Sequence, residues 1–255
     1  MSTTPVLVDT IPLLRLCLSE IGDAKSLAVD LEGVALCRSG KLCIIQLKAT
    51  GGDTIWLIDV VVLGAAAFEE SDAHGHSLKA ILESSSIRKV FYDVRNDSDA
   101  LLNLFGITLE NVFDLQLLEL AVCSSNPIGR RPIPPRFLNG LKASLEIYVA
   151  PLKSAEVIRT WARVKEAGLQ LFAPERGGRY EVFEDRPLKA ALVAYCAQDV
   201  ALLDKLETAL RNRMGTYGTD WERRIRAESA ARVALARSAN YTPRGREKAL
   251  APTIW

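Results

Sequence analysis

Four acidic residues stand at positions where the hydrophobic pattern predicts buried core: Asp30, Glu32, Asp97 and Asp199. A carboxylate in apolar surroundings loses favourable hydration or takes up a proton, so several such groups from separate segments usually share one purpose. Clusters of carboxylate oxygens suit Mg²⁺ or Mn²⁺, and two such ions about 3.5–4 Å apart can activate water and stabilise a phosphodiester. The four acids therefore predict a site for divalent metal ions.

The spacing of these residues indicates which elements present them. Asp30 and Glu32 are two positions apart in a predicted strand, so their side chains project to the same face. In a later helical stretch, apolar residues at spacings of three and four place Asp199 on the buried stripe. Tyr195 lies one turn before Asp199, where its hydroxyl can orient an attacking water. A phenol with an ordinary pKa of about 10 favours this positioning role over base catalysis.

The third acidic position has more than one candidate, because residues 93–99 contain three aspartates. Asp97 shares a helical face with Leu101 and Leu104, whereas Asp99 falls on a more mixed face. Asp97 is therefore preferred, with Asp93 and Asp99 as alternatives.

The elements that must position these residues can be predicted from the pattern of apolar residues and turns. Three short apolar runs separated by glycine-containing turns predict neighbouring antiparallel strands, and an alternation of helices and strands follows. A long helix is expected from Asp185, which would cap it, to about Arg213. The sequence predicts an α/β fold with a mixed sheet flanked by helices. The predicted strands are 29–34, 41–49, 54–60, 88–92 and 111–114, and the earlier helices lie near 77–83 and 97–105.

Composition limits the class of protein. With 255 residues, 49% of them hydrophobic and 25% charged, the chain has the makings of one soluble domain with a large core. Residues 1–12 carry no basic start, and no segment approaches the roughly 18 uninterrupted apolar residues of a membrane helix. We therefore expect an intracellular protein without a membrane partner, in the nucleus or the cytoplasm. Five scattered cysteines support neither a disulfide framework nor a structural zinc site.

The net charge of +1 conceals an asymmetry along the chain. Residues 221–255 contain eight basic and three acidic residues, a net charge of +5, so the rest of the chain carries −4. This distribution excludes a uniformly basic coat for nucleic acid and leaves a basic C-terminal tail.

Taken together, the acidic residues and the tyrosine resemble the three motifs of the DEDD exonuclease superfamily, tyrosine subgroup, which includes ribonuclease D and Werner-type exonucleases. Asp30-x-Glu32 matches the first motif, Asp97 the second and Tyr195-x-x-x-Asp199 the third. The resemblance covers about residues 25–212. Its supporting segments are Lys41-Leu-Cys-Ile-Ile-Gln-Leu47, Phe113-Asp-Leu-Gln116 and Arg186-Pro-Leu188.

This resemblance implies a ribonuclease H-like mixed sheet and metal-dependent 3′-5′ removal of nucleotides from nucleic acid with a free 3′ end. Two ions, Mg²⁺ or Mn²⁺, would be held by the four acids, and Tyr195 would place the water. The exonuclease domain would span residues 1–216. Residues 217–255 would form a basic extension rather than a separate domain.

Two residues depart from the usual motifs of the family. Tyr92 stands where histidine often begins the second motif, and Leu115 stands where threonine is commoner. Neither replaces a metal ligand.

Substrate binding has several candidate sources in this chain. Members of the ribonuclease D family often carry a separate helical domain for nucleic acid, for which this chain has little room. A protein partner could supply that binding, or the basic tail and three arginines of a proline-rich loop, Arg130, Arg131 and Arg136. RNA and single-stranded DNA both remain possible substrates. The alternative function is a catalytically weak or inactive exonuclease-like module that binds nucleic acid or acts as an adaptor.

Overall fold

A mixed six-stranded sheet forms the centre of the computed structural model, which describes residues 5–125, 137–214 and 218–252. The strand order is β1-β4-β3-β2-β5-β6. Strands β2, β3 and β4 are antiparallel neighbours, whereas β1, β5 and β6 are added in parallel pairs. The predicted fold class is therefore confirmed. The strands are β1 Pro5–Val8, β2 Ser26–Val34, β3 Lys41–Ala49, β4 Ile55–Asp59, β5 Arg88–Phe91 and β6 Val112–Asp114.

Helices cover both faces of this sheet and create two apolar layers. Leu27, Val29 and Leu31 of β2 point into the layer of α1, α4 and α5, whereas Ala28 points into the layer of α6, α9 and α10. Because side chains alternate along a strand, residues 30 and 32 face the same way as Ala28. The helices are α1 Ile11–Ile21, α2 Val60–Leu63, α3 Ala66–Glu69, α4 Leu78–Glu83, α5 Arg95–Phe105, α6 Leu115–Ser125, α7 Leu141–Tyr148, α8 Ala155–Phe172, α9 Ala190–Ala201, α10 Leu203–Met214 and α11 Gly218–Ala234.

The prediction of one long helix from Asp185 to Arg213 is wrong. Helix α9 begins at Ala190, and the backbone of Leu202 leaves the helical region before α10 begins. The break occurs because α9 packs on the sheet, whereas α10 packs on α6 and α7. Asp185 does not cap the helix: its carboxylate accepts a hydrogen bond from Arg179 at 2.6 Å. Arg186 instead ties the entry of α9 to β4 through two 2.5 Å hydrogen bonds to the buried Asp59.

The C-terminal segment packs against the sheet and the helices beside it. Helix α11 contacts β6, α6 and α5, and Arg232 of α11 is buried in an ion pair with Asp114 at 2.7 Å. Further along, the backbone carbonyl of Lys248 accepts a hydrogen bond from Arg95 at 2.8 Å. Part of the basic tail is thus engaged inside the protein. Among the described residues, no helix is both long and apolar enough to cross a membrane.

Candidate active site

Strand β2 and helix α9 bring three of the predicted acids together. The β2–β3 register sets Asp30 opposite Gln46, so Asp30 and Glu32 face the layer in which α9 lies. Asp199 and Tyr195 lie on the buried side of α9. One carboxylate oxygen each of Asp30, Glu32 and Asp199 lies within 4.8 Å of the others. The spacing argument thus placed two strand residues and a distant helix residue at one point.

Asp97 reaches the same region from α5, but it lies outside this group of three. It is buried, and burial is the main reason that its pKa is raised well above the ordinary value. The negative charges of Asp30, Asp93 and Glu32 raise that pKa further, so Asp97 interacts electrostatically with both β2 acids.

The neighbouring aspartates differ from Asp97 in having arginine partners. Asp93 accepts two hydrogen bonds from Arg95 at 2.5 and 2.7 Å, and Asp99 accepts two from the Arg38 guanidinium at 2.9 and 2.7 Å. No ion pair engages Asp97 in the part of the chain that the structure describes. Asp97 therefore remains the preferred fourth acid, because its charge is the one left without a cation.

The electrostatics of the three grouped acids fit a bound cation. Burial raises the pKa of Asp30, Glu32 and Asp199, and negative neighbours in the group raise the pKa of Asp30 and Glu32 further. The Oδ2 atom of Asp199 is buried and has no hydrogen-bond partner among the described residues. Leaving a buried carboxylate oxygen without a hydrogen-bond donor costs free energy, and hard cations such as Mg²⁺ bind oxygen ligands of this kind. The residues present therefore suit a divalent metal ion.

Lys165 is a functional candidate that the sequence analysis missed. Its ammonium forms an ion pair with Asp199 Oδ1 and lies 3.8 Å from the centroid of the Tyr195 ring. Its positive charge partly offsets the raised pKa values of Asp30, Glu32 and Asp199. The sequence did contain a signal for it. Trp161, Lys165 and Gly168 are spaced by four and three residues, which places them on one face of α8.

Helix α8 also fixes the ring of Tyr195. Phe172 meets the ring edge-on, with centroids 4.9 Å apart. A Cβ atom on Gly168 would lie only 2.4–2.7 Å from three atoms of Tyr195, so glycine is required for this close approach. Burial, followed by the charges of Glu32, Asp199 and Asp30, raises the pKa of the phenol far above its ordinary value. The hydroxyl therefore stays protonated and can orient a water molecule, but it is a poor base.

A cavity of about 740 Å³ lies between the sheet, α7, α8 and α9, and its lining includes Asp30, Glu32, Lys165, Tyr195 and Asp199. Tyr92, at the position where the family often has histidine, also lines it and is fixed to α7 and the segment before it. Its hydroxyl donates to the carbonyl oxygen of Asn139 at 2.9 Å and is 2.7 Å from the Ser144 hydroxyl. The loop arginines Arg130, Arg131 and Arg136 lie outside the described residues.

Known proteins resemble this chain in both sequence and fold. The 3′-5′ exonuclease family matches residues 5–215. The human piRNA biogenesis protein EXD1 is 31% identical over 188 residues, which are 74% of this chain and 32% of EXD1. This chain therefore spans about a third of the length of that relative.

Solved structures show the same fold at lower sequence identity. Trypanosoma brucei RNase D in a GMP complex superposes with a TM-score of 0.73 at 21% identity, over 96% of this chain and 68% of that chain. The same enzyme has been solved with RNA U12, with a TM-score of 0.65 at 20% identity and 77% of that chain covered. Brucella melitensis NrnC with bound Mg²⁺ gives a TM-score of 0.60 at 19% identity, covering 95% of this chain and 99% of NrnC.

Proposed function

This chain belongs to the 3′-5′ exonuclease family, and on that premise we propose that it is a metal-dependent 3′-5′ exonuclease of RNA or single-stranded DNA. The observation that carries the proposal is the meeting of Asp30, Glu32 and Asp199 within 4.8 Å, beside Tyr195, in a cavity open to solvent. Family membership alone leaves activity undecided, whereas a clustered acid set is what a hydrolytic metal site requires.

In this proposal Asp30, Glu32, Asp97 and Asp199 hold two ions, Mg²⁺ or Mn²⁺. When bound, such ions lower the pKa of water and stabilise charge on phosphate oxygens. The Mg²⁺ in NrnC and the buried, unpartnered Oδ2 of Asp199 support the metal assignment. The neutral Tyr195 hydroxyl orients the water that attacks the terminal phosphodiester. RNA bound to T. brucei RNase D supports a nucleic-acid substrate, and the 3′-5′ direction of the family supports a free 3′ end.

The test is a denaturing-gel time course with 5′-labelled single-stranded RNA and DNA, in Mg²⁺, in Mn²⁺ and in chelator. Metal-dependent shortening of the 5′-labelled strand from its far end, with circular strands left intact, is the expected result. Cleavage of circles would contradict an exonuclease. Binding of either strand without shortening in both metals would instead support the adaptor function.

The raised pKa values predict how pH changes stability in the absence of metal. Asp30, Glu32, Asp97 and Asp199 hold protons to higher pH in the folded chain than in the unfolded chain. Stability should therefore fall as the pH rises above about 4, the ordinary range of carboxylates. Metal ions compete with these protons, so the melting-temperature increase given by Mg²⁺ should grow with pH.

Thermal unfolding in chelator and in Mg²⁺, at several pH values between about 5 and 7, measures this effect below the lowered pKa of Lys89 and of Lys248, each about 8. The lowered pKa values of Asp72, about 2, and of Glu207 act only at more acidic pH, so they do not mask it. A metal-free protein whose stability does not change over this range would contradict the assigned electrostatics.

Gly168→Ala tests whether α8 positions Tyr195. The added Cβ would push the Tyr195 ring, and misplacement by about 1 Å can cost on the order of 10²-fold in rate. We expect kcat to fall by that order with little change in KM. Alanine also favours a helix over glycine by about 1 kcal/mol, which limits the loss of stability.

Two controls separate this effect from general damage to α8. Gln170→Ala changes an exposed residue of the same helix and should leave kcat unchanged. In a Tyr195→Phe background, Gly168→Ala should add little further loss, because the hydroxyl that it misplaces is already absent. Additive losses would show that Gly168 acts by another route.

A further inference from the structure

Among the described residues that line the cavity, Lys165 is the most buried cation. Its side chain is 13% exposed, whereas Lys142, which also lines the cavity, is 66% exposed. Arg163 of the same helix is exposed, and its hydrogen bond within the described part of the chain goes to Thr160, one turn away. Lys165 is thus the cation of the cavity wall that contacts the grouped acids.

The side chain of Lys165 contacts two residues to which the proposed reaction gives a role. One is Asp199 Oδ1, and the other is the face of the Tyr195 ring. The water that Tyr195 orients must lie next to the phosphorus it attacks, within about 3–3.5 Å. A lysine ammonium packed on that ring, on a flexible four-carbon stem, is therefore within reach of an oxygen of the same phosphate.

Metal ions would compete with the ammonium for the Asp199 carboxylate, whose Oδ1 holds Lys165 and whose Oδ2 has no partner among the described residues. Cations bound among Asp30, Glu32 and Asp199 would lie a few ångström from Lys165, and like charges repel strongly in a partly buried site. A phosphodiester oxygen offers the displaced ammonium a negative partner that is present only with substrate. The Lys165 ammonium thus has a negative partner in both states: the Asp199 carboxylate in the empty site and a phosphate oxygen in the loaded site.

We propose that Lys165 is a catalytic residue that binds a non-bridging oxygen of the phosphate under attack. This role rests on the proposed exonuclease function. Water adds its oxygen to phosphorus and gives up one proton to solvent, and the bond from phosphorus to the 3′ oxygen of the preceding nucleotide breaks. That 3′ oxygen takes up a proton from solvent to become a hydroxyl, and a nucleoside 5′-monophosphate leaves. Lys165 keeps its proton throughout and stabilises the charge that develops on the phosphate oxygens.

The test compares Lys165→Met and Lys165→Arg in the full chain with the unchanged protein. Removing one preorganised donor typically costs about 10²–10³-fold in kcat, and we expect a loss of that size in the methionine variant. Arginine keeps the charge and should recover part of the rate. Arg159→Met, an exposed residue of α8 that does not line the cavity, is the matched control and should change nothing.

Binding without turnover gives an independent readout. Titration of adenosine 5′-monophosphate and of adenosine, with Ca²⁺ as the supporting ion, isolates the contribution of the phosphate. Lys165→Met should lower the affinity for the monophosphate by about tenfold, the contribution of one charged hydrogen bond, and leave the affinity for adenosine unchanged. The Mg²⁺ concentration that gives half of the melting-temperature increase should fall in the same variant, because a competing cation is gone.

The outcomes separate this role from a simple counterion. If Lys165→Met binds Mg²⁺ more tightly but keeps its kcat and its affinity for the monophosphate, Lys165 only neutralises the empty acid group and the proposal is wrong. If the unchanged protein hydrolyses neither RNA nor DNA, the proposed exonuclease function fails. The monophosphate titration then still decides whether Lys165 binds phosphate.

Discussion

Asp30→Asn is expected to reduce hydrolysis by more than about 10³-fold, beyond the loss caused by removing one stabilising donor. The change removes one negative charge and one carboxylate oxygen from the group of three while keeping the size of the side chain. The rate of shortening of 5′-labelled RNA or DNA in Mg²⁺ measures the effect. Asp199→Asn should behave in the same way, since one of its carboxylate oxygens belongs to the same group of three.

The same variant should gain stability in chelator. Burial and neighbouring negative charge raise the pKa of Asp30, so its ionised form is costly at neutral pH and an amide removes that cost. We expect the melting temperature of Asp30→Asn in chelator to equal or exceed that of the unchanged protein. Adding Mg²⁺ should no longer raise the melting temperature of this variant. Glu20→Gln removes an exposed charge far from the site and should alter neither quantity. Full activity in Asp30→Asn would refute the metal-site assignment.

The sequence could place these acids on common faces because each has a local signature. A period of two places Asp30 and Glu32 on one face of β2, and a helical period places Tyr195 and Asp199 on one face of α9. Both signatures are independent of tertiary packing, because they depend only on the repeat of the strand or helix backbone. The choice of Asp97 over Asp93 and Asp99 rested on the same kind of argument, and the arginine partners of the other two agree with it.

Contacts between distant segments had no such signature. Strand β1 is four residues long, too short to show a period, and its pairing with β4 joins segments about fifty positions apart in the chain. The break at Leu202 follows from α9 and α10 packing on different elements, which an uninterrupted apolar stripe does not reveal. Lys165 and Gly168 become meaningful only when α8 is laid against Tyr195. Local periodicity thus indicated the acidic residues of the candidate site, whereas tertiary packing revealed the residues that contact them.

The C-terminal extension is the clearest case of such support, and it centres on Arg232. The guanidinium is buried, and it donates to Asp114 at 2.7 Å and to the side-chain oxygen of Gln116 at 2.9 Å. The Asp114 carboxylate also accepts hydrogen bonds from the backbone of Asp93 and Val94 at 2.9 and 3.2 Å. These two residues form the entry to α5, the helix that carries Asp97.

Arg232→Met is expected to lower the free energy of unfolding by about 3–5 kcal/mol, because it leaves the buried Asp114 carboxylate without its cation. Urea unfolding measures the loss. Arg223→Met, an 80% exposed arginine of the same helix, should cost little and serves as the matched control. Adding Asp114→Asn to Arg232→Met should recover part of the stability, since the uncompensated charge is then gone.

Activity should fall in Arg232→Met even where the variant is fully folded. Asp93 adopts a left-handed backbone, with φ of 66°, and Asp114 is the side chain that holds its amide there. Loss of Arg232 frees Asp114 to move, and a shift of about 1 Å in the entry to α5 would displace Asp97 enough to cost on the order of 10²-fold. We therefore propose that residues 217–255 form an extension that completes the exonuclease domain of residues 1–216 rather than a separate unit. A folded Arg232→Met protein with unchanged kcat would show that the extension stabilises the fold without positioning Asp97.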